Sequence, residues 1–312
     1  MKKLLNKVAI TGLVAASTLF SCTKDNDPPM AQKNIVDIVV ADNNFSLLEA
    51  AVVRANLTAV LSGKGPFTVL APTNEAFAAA GFDTEAKINA APVETIKKIL
   101  LYHVVNEEIK SSAIQMTANA AVKTAAETNV FVTKNTGGVF VNGATVTKAD
   151  VMASNGVIHV INRVLMPAPG NIVELAQGNT NFSYLAAAVL RASQGSTNVA
   201  EVLSGAGPFT VFAPTNQAFI NAGFATVASI QAADPNTLAS ILTYHAISGR
   251  IFSSDLTEGA TPATVNGGKV TITIAGGAKV KGNKNTSASM VTAADLVATN
   301  GVVHVIDQVL LP

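Results

Sequence analysis

The chain has 312 residues, 49% hydrophobic and 13% charged, with 21 Lys+Arg against 20 Asp+Glu and a single cysteine. Globular proteins carry about 25% charged residues, so Ala, Thr, Ser, Asn and Gly must cover much of this surface. No basic patch is present to neutralise phosphates, which argues against nucleic acid as a partner, and one thiol allows no internal disulfide.

In chain order, Lys2, Lys3 and Lys7 make a basic start and Val8 to Phe20 is an apolar run. A bilayer takes about 20 apolar residues, so the run is too short to span one and reads as a signal-peptide core. It ends Leu19-Phe20-Ser21-Cys22. A small residue before a lone cysteine resembles a bacterial lipoprotein cleavage box, with residues 1–21 the signal peptide and Cys22 the lipid-carrying residue; an ordinary secretory signal is the competing reading. Loss of the three leader lysines leaves the chain slightly acidic. Residues 22–33 form a polar, proline-bearing tether. Its Cys-Thr-Lys-Asp-Asn-Asp resembles the acidic surface-export signal of Bacteroidetes-type lipoproteins, and a plain solvated linker fits nearly as well. An outer-membrane lipoprotein exposed at the cell surface is the preferred expectation, with a periplasm-facing one as the alternative.

From Phe45 to Leu61, apolar Phe45, Leu48 and Val52 recur at helical spacing. Gly65 to Phe77 then reads GPFTVLAPTNEAF. Phe-Thr-Val is strand-like, Pro72 stops the ladder because it has no N–H, and Thr73 or Asn74 is placed to cap a helix. Val93 to Val105 predicts another helix, with Ile96, Ile99, Leu100 and His103 on one stripe. From Ala120 onward β-branched runs alternate with Gly and Asn turns, ending in Asn155-Gly156 and VIHVINRVLMP. The second half repeats all of this: NIVELA and FSYLAAAVLRA, GPFTVFAPTNQAF from Gly207 with Thr215 and Asn216 at the cap, Tyr244-His245 for Tyr102-His103, and Asn300-Gly301 before VVHVIDQVLLP. A period of roughly 140 residues means two tandem domains rather than a solenoid. Helices first and strands second is an α+β pattern.

The order of corner, Tyr-His pair and closing NGV(I/V)HVI segment, found twice, resembles the fasciclin (FAS1) domain. Residues 34–167 and 168–312 would be the two copies. The resemblance implies an α+β module, a wedge of two β-sheets with helices packed on one side, and adhesion or matrix contact without catalysis.

The four histidines, His103, His159, His245 and His304, all lie in repeated motifs. Histidine titrates near neutrality and ligates metals, but zinc wants three or four ligands, and no second His, Cys or paired carboxylate stands at such spacing. Burial with a hydrogen-bond partner is the favoured role, although His159 shares a strand face with Arg163, which suggests a partly wet face. Glu75 is replaced by Gln217 in the second copy, so a general acid or base common to both domains cannot sit there. Neither an enzyme, a metal site nor a cofactor is expected. Asp150-Val151-Met152 and Asp295-Leu296-Val297 align with the short Asp-Ile segment that animal fasciclin proteins use to contact integrins, without its isoleucine; a turn aspartate before core apolar residues is the competing reading. The expected function is a lipid-anchored envelope module that contacts an extracellular or envelope protein or a polysaccharide. The alternative is a carrier of a small apolar ligand, a pigment or lipid, in a helix–sheet groove.

Overall fold

Each half begins with short helices and closes with a sheet whose central strands are its two most apolar segments. The computed structural model describes residues 32–312; the signal peptide, Cys22 and nearly all of the tether lie outside the described residues. In the first half the elements are α1 (Ile35–Val40), α2 (Ser46–Arg54), α3 (Thr58–Leu61), β1 (Phe67–Pro72), α4 (Asn74–Ala79), α5 (Glu85–Ala90), α6 (Val93–Tyr102), β2 (Val104–Val105), β3 (Ala120–Lys123), β4 (Asn129–Asn135), β5 (Gly138–Val141), β6 (Ala144–Ala153) and β7 (Gly156–Ile161). The second half repeats all but β3, as α7 (Ile172–Gln177), α8 (Ser183–Ala192), α9 (Val199–Ser204), β8 (Phe209–Pro214), α10 (Asn216–Asn221), α11 (Val227–Ala232), α12 (Pro235–Tyr244), β9 (Ala246–Ser248), β10 (Thr271–Thr273), β11 (Lys279–Lys281), β12 (Ser289–Ala298) and β13 (Gly301–Ile306).

The strand orders are β2-β1-β7-β6-β5-β4-β3 and β10-β11-β12-β13-β8-β9. Only the corner strand and the closing strand run parallel, β1 with β7 and β8 with β13. The ten-residue β6 carries register shifts between Val146 and Val151. These bulges bend it, so that it belongs to both arms of a two-sheet wedge; β12 does the same with shifts between Val291 and Leu296. Two cores follow from strand alternation. Val69, Ala71, Ile158 and Val160 face the helices with Leu48, Phe77 and Ile96. Leu70, Ile161, Tyr102, Val130 and Val141 fill the space between the sheets. Every residue of β7 and β13 is buried, as expected of strands covered on both sides, and each fully buried Val, Ile or Phe contributes about 1.5–3 kcal/mol.

The span expected as one helix over Phe45–Leu61 is broken. A single 3-10 turn at Asn43–Phe45 leads into α2, and Asn56 in the left-handed region (φ 56°) separates α2 from α3. Between the two candidate caps, Thr73 takes the role: its hydroxyl accepts from the Ala76 amide at 3.3 Å, as Thr215 accepts from Ala218 at 3.2 Å. Asn74 and Asn216 instead reach back to α2 and α8, accepting from the Leu47 and Tyr184 amides at 3.0 Å. Gly156 (φ 154°) is required by close approach, because a Cβ there would lie 2.0 Å from the Phe67 carbonyl.

Lys33–Pro312 forms one compact unit, and its halves meet through specific polar bonds beside an aromatic pair, Phe131 with Phe252 at 6.2 Å. Arg163, just after β7, donates from Nη1 to Asp295 Oδ2 at 2.8 Å. The Arg250 guanidinium lies 4.0 Å over the Phe131 ring. Asn119 donates to the Arg250 carbonyl (2.7 Å) and Asn135 to that of Ser254 (3.2 Å). Gly143 (φ +77°) lets the β5–β6 turn close on Asp295, whose carboxylate would meet a Cβ at 2.3 Å.

Candidate functional site

The histidines of the Tyr-His pairs are tied to backbone on both ring nitrogens. His103 donates from Nδ1 to the Ile99 carbonyl (2.7 Å) and accepts at Nε2 from the Leu165 amide (2.9 Å). His245 does likewise with Ile241 (2.8 Å) and Leu310 (2.8 Å). These partners fix the neutral tautomer, and burial pushes each ring down to about 4. Each histidine therefore pins the segment after the closing strand to the end of α6 or α12. Their tyrosine neighbours bridge the sheets. Tyr102 donates to the Asn129 carbonyl (2.9 Å) and accepts from Asn142 (3.0 Å), and burial raises its pKa; Tyr244 donates to the Lys269 carbonyl and accepts from the Asn283 amide (2.9 Å).

His159 and His304 lie on the inner face of the wedge, in register with Leu70 and Phe212. Both rings are buried, whereas Arg163, expected on the same face as His159, keeps 43% of its side chain exposed. The bulges of β6 and β12 place Asp150 (φ 57°) and Asp295 (φ 66°) in the left-handed region, where each amide donates to the histidine Nδ1 at 3.3 Å. Nε2 therefore carries the proton and donates to the carbonyl of Ile109 (2.8 Å) or Ile251 (2.9 Å).

A residue that sequence reasoning passed over completes this arrangement. Ser111 donates its amide (2.8 Å) and its hydroxyl to Asp150, and Ser253 donates to Asp295 from its amide at 2.6 Å and its hydroxyl at 2.5 Å. The Ser111 bonds hold the Asp150 carboxyl below the usual carboxylate range. Serine, histidine and aspartate thus meet twice, but not in hydrolase order. A hydrolytic triad has the serine hydroxyl on the histidine and the carboxylate on its other nitrogen. Here the serine donates straight to the carboxylate, and the ring is used up by backbone. Asn155 was also missed as more than a turn residue: it accepts from the Ile35 amide (3.0 Å) and donates to the Leu61 and Gly63 carbonyls (2.8 and 2.9 Å). The only signal for either was recurrence, as Ser253 and Asn300.

The two Asp-led segments differ in their surroundings. Asp295 is paired with Arg163, and its side chain is 0% exposed against 43% for the arginine; Leu296 and Val297 are half-buried. Asp150 and Val151 are half-buried and Met152 is 50% exposed. The wedge interiors differ too. In the first half an apolar cavity of about 310 Å³ opens between the sheets, bordered by Leu70, Val105, Val130, Val132, Val146 and His159. In the second half Phe212 stands at the position of Leu70, fully buried, its ring 5.7 Å from that of His304, and a cavity of about 350 Å³ bordered by Phe212, Ile247, Ile251 and Ile272 remains beside it. Among the described residues no group of three or more His, Cys, Asp or Glu could hold a metal ion, and no helix is long and apolar enough to cross a membrane.

The fasciclin domain model matches residues 43–167 and again 181–312. The chain belongs to the fasciclin domain family. Protein sll1483 of Synechocystis is 46% identical over 134 residues, covering 43% of this chain and 73% of that protein. Human periostin is 30% identical over 256 residues, 81% of this chain and 29% of periostin. This fasciclin chain thus spans less than a third of that animal relative. Among solved structures, the FAS1 domain pair of the insect cell adhesion molecule fasciclin I is 20% identical with a TM-score of 0.42, covering 89% of this chain and 96% of that one. The matching family is one of adhesion-type domains, and no catalytic family is indicated.

Proposed function

We propose that this fasciclin chain is a non-catalytic contact module of the bacterial cell envelope, held to the outer membrane through Cys22 and binding an extracellular or envelope protein or polysaccharide. Its working edge is Asp150–Met152 in the first domain. The observation that carries this is the asymmetry between the copies: Asp295–Val297 is occupied by Arg163 and the β5–β6 turn, whereas the matching edge of the first domain leaves Met152 half exposed. Met152→Glu puts a charge on that edge without touching the core. A soluble form from Asp25, used as bait on envelope extract, is expected to retain a partner that the Met152→Glu form loses while its circular dichroism is unchanged. Equal retention by both forms would place the working surface elsewhere.

A second reading, carriage of a small apolar ligand, is favoured by the cavity bordered by Leu70. Interiors rarely leave voids larger than a water molecule, and this one has mostly aliphatic walls. Leu70→Phe puts a larger ring on the cavity wall and should shrink the space. Native mass spectrometry of the purified protein is expected to show an added apolar mass that Leu70→Phe removes; a bare mass in the parent rules this reading out.

A further inference from the structure

The two Asp–Ser pairs are built alike and end differently. In the second domain Oδ1 of Asp295 accepts the Ser253 amide and Oδ2 the Ser253 hydroxyl, and Oδ2 also accepts the Arg163 guanidinium at 2.8 Å. In the first domain Asp150 accepts the same two bonds from Ser111. Among the described residues no lysine or arginine pairs with it. The carboxylate is oriented by the same two bonds as its twin and has no guanidinium on it. From this repetition we infer that the Asp150–Ser111 pair docks an arginine side chain presented by a second protein. The inference rests on the Asp150–Met152 edge being the contact surface and adds the chemistry of the partner.

Two features set that chemistry. The first is charge. Thr68 donates to the Glu107 carbonyl (2.6 Å) and accepts from the Ile109 amide (2.8 Å). Thr210 makes the same pair of bonds with Gly249 (2.7 Å) and Ile251 (2.9 Å). Glu108 is therefore the counterpart of Arg250. The arginine that in the second domain bonds the Gly301 carbonyl (2.5 Å) and lies over Phe131 is replaced by a carboxylate. Glu108 is itself paired with Lys110 at 3.1 Å, so the carboxylate left for a partner is that of Asp150, which selects a cationic group and disfavours an anionic polysaccharide. Arginine fits better than lysine because a fixed, hydrogen-bonded carboxylate rewards the planar fork of a guanidinium.

The second feature excludes this chain as its own partner in the same geometry. Where the first domain presents Arg163, the second presents Gln308, whose amide is engaged with Ser287 (3.2 Å) and Ala288 (3.4 Å). A copy docking head to tail brings no guanidinium to Asp150, so the contact does not propagate into a filament.

The test uses residues 32–312 labelled with nitrogen-15 and a blocked peptide of the sequence Ile161–Met166, the segment that fills the twin site. At millimolar peptide, saturable shifts are expected at the Ser111 and Asp150 amides, with those of Ser253 and Asp295 unmoved. A peptide with glutamine for the arginine should bind about tenfold more weakly, the loss of one charged pair. Asp150→Asn, which keeps an acceptor for Ser111, should weaken the parent peptide by a similar factor. Absence of shifts, equal binding of the two peptides, or insensitivity to Asp150→Asn overturns the proposal. A concentration-dependent dimer dispersed by Asp150→Asn also overturns it, by making a second copy the occupant. If Met152→Glu abolishes envelope binding while the two peptides bind alike, the edge is a contact surface and the arginine alone is wrong.

Discussion

Mild acid should destabilise the protein through its buried histidines, well before its carboxylates protonate. His103 and His245 ordinarily titrate at 6.5 and are pushed down to about 4 by burial. A lowered histidine favours its neutral form in the fold, so between these values the unfolded chain binds more protons. Stability is then complete above 6.5 and is lost as pH falls towards 4. Between pH 7 and about pH 5.5 the loss is about 1.2 kcal/mol per ring, levelling off at about 3 kcal/mol below pH 4. His304, also lowered by burial, acts in the same direction. The carboxyls of Asp150 and Asp234 are held below their ordinary 3.8, so they give up their contribution only in stronger acid. His103→Ala removes one titrating ring and strands the Leu165 amide and the Ile99 carbonyl, which costs about 1–3 kcal/mol at neutral pH. Urea unfolding followed by far-ultraviolet circular dichroism at pH 7 and at about pH 5.5 measures both effects. The expected result is a variant weaker at neutral pH that loses about 1 kcal/mol less than the parent on acidification. Equal acid sensitivity of parent and variant would refute the assignment of the neutral, backbone-bonded tautomer.

Three further outcomes are expected. Arg163→Gln leaves a carboxylate with 0% side-chain exposure unpaired, so the second half should lose about 1–3 kcal/mol, discounted for the half-exposed arginine; a single melting transition should split in two by calorimetry, and an unsplit, unshifted melt counts against the interdomain lock. Ending the first domain at Asn155 deletes β7, the buried strand between β1 and β6, and the product should aggregate because both neighbours become open edges; a soluble fragment 34–155 that melts cooperatively would contradict this, whereas 34–167 should fold. Cys22→Ala should lose its acyl mass and leave the membrane fraction, and a variant that still partitions with membranes refutes the lipid anchor; stable attachment takes more than one acyl chain.

The sequence by itself determined the parts whose causes lie close along the chain. Proline at 72 and 214, threonine caps one residue later, helical spacing in α6 and the apolar run of β7 each act within a few residues, and all of them occur twice. That repetition carried the family, the α+β class and the tandem arrangement. Only the tertiary structure decided which contacts close over long separations. Asn155 staples α1 to the end of α3, and Ser111 meets Asp150 across the wedge; neither has a periodic pattern to betray it. The structure also broke the symmetry of the repeat. Asp150 and Asp295 look equivalent as sequence, yet Arg163 covers one and leaves the other without a guanidinium, because this interface is heterologous and joins unlike faces of the two copies. In the same way Leu70 and Phe212 look like a conservative difference in the sequence, and only the packed wedge places the one beside a cavity walled by aliphatic side chains and the other against the ring of His304.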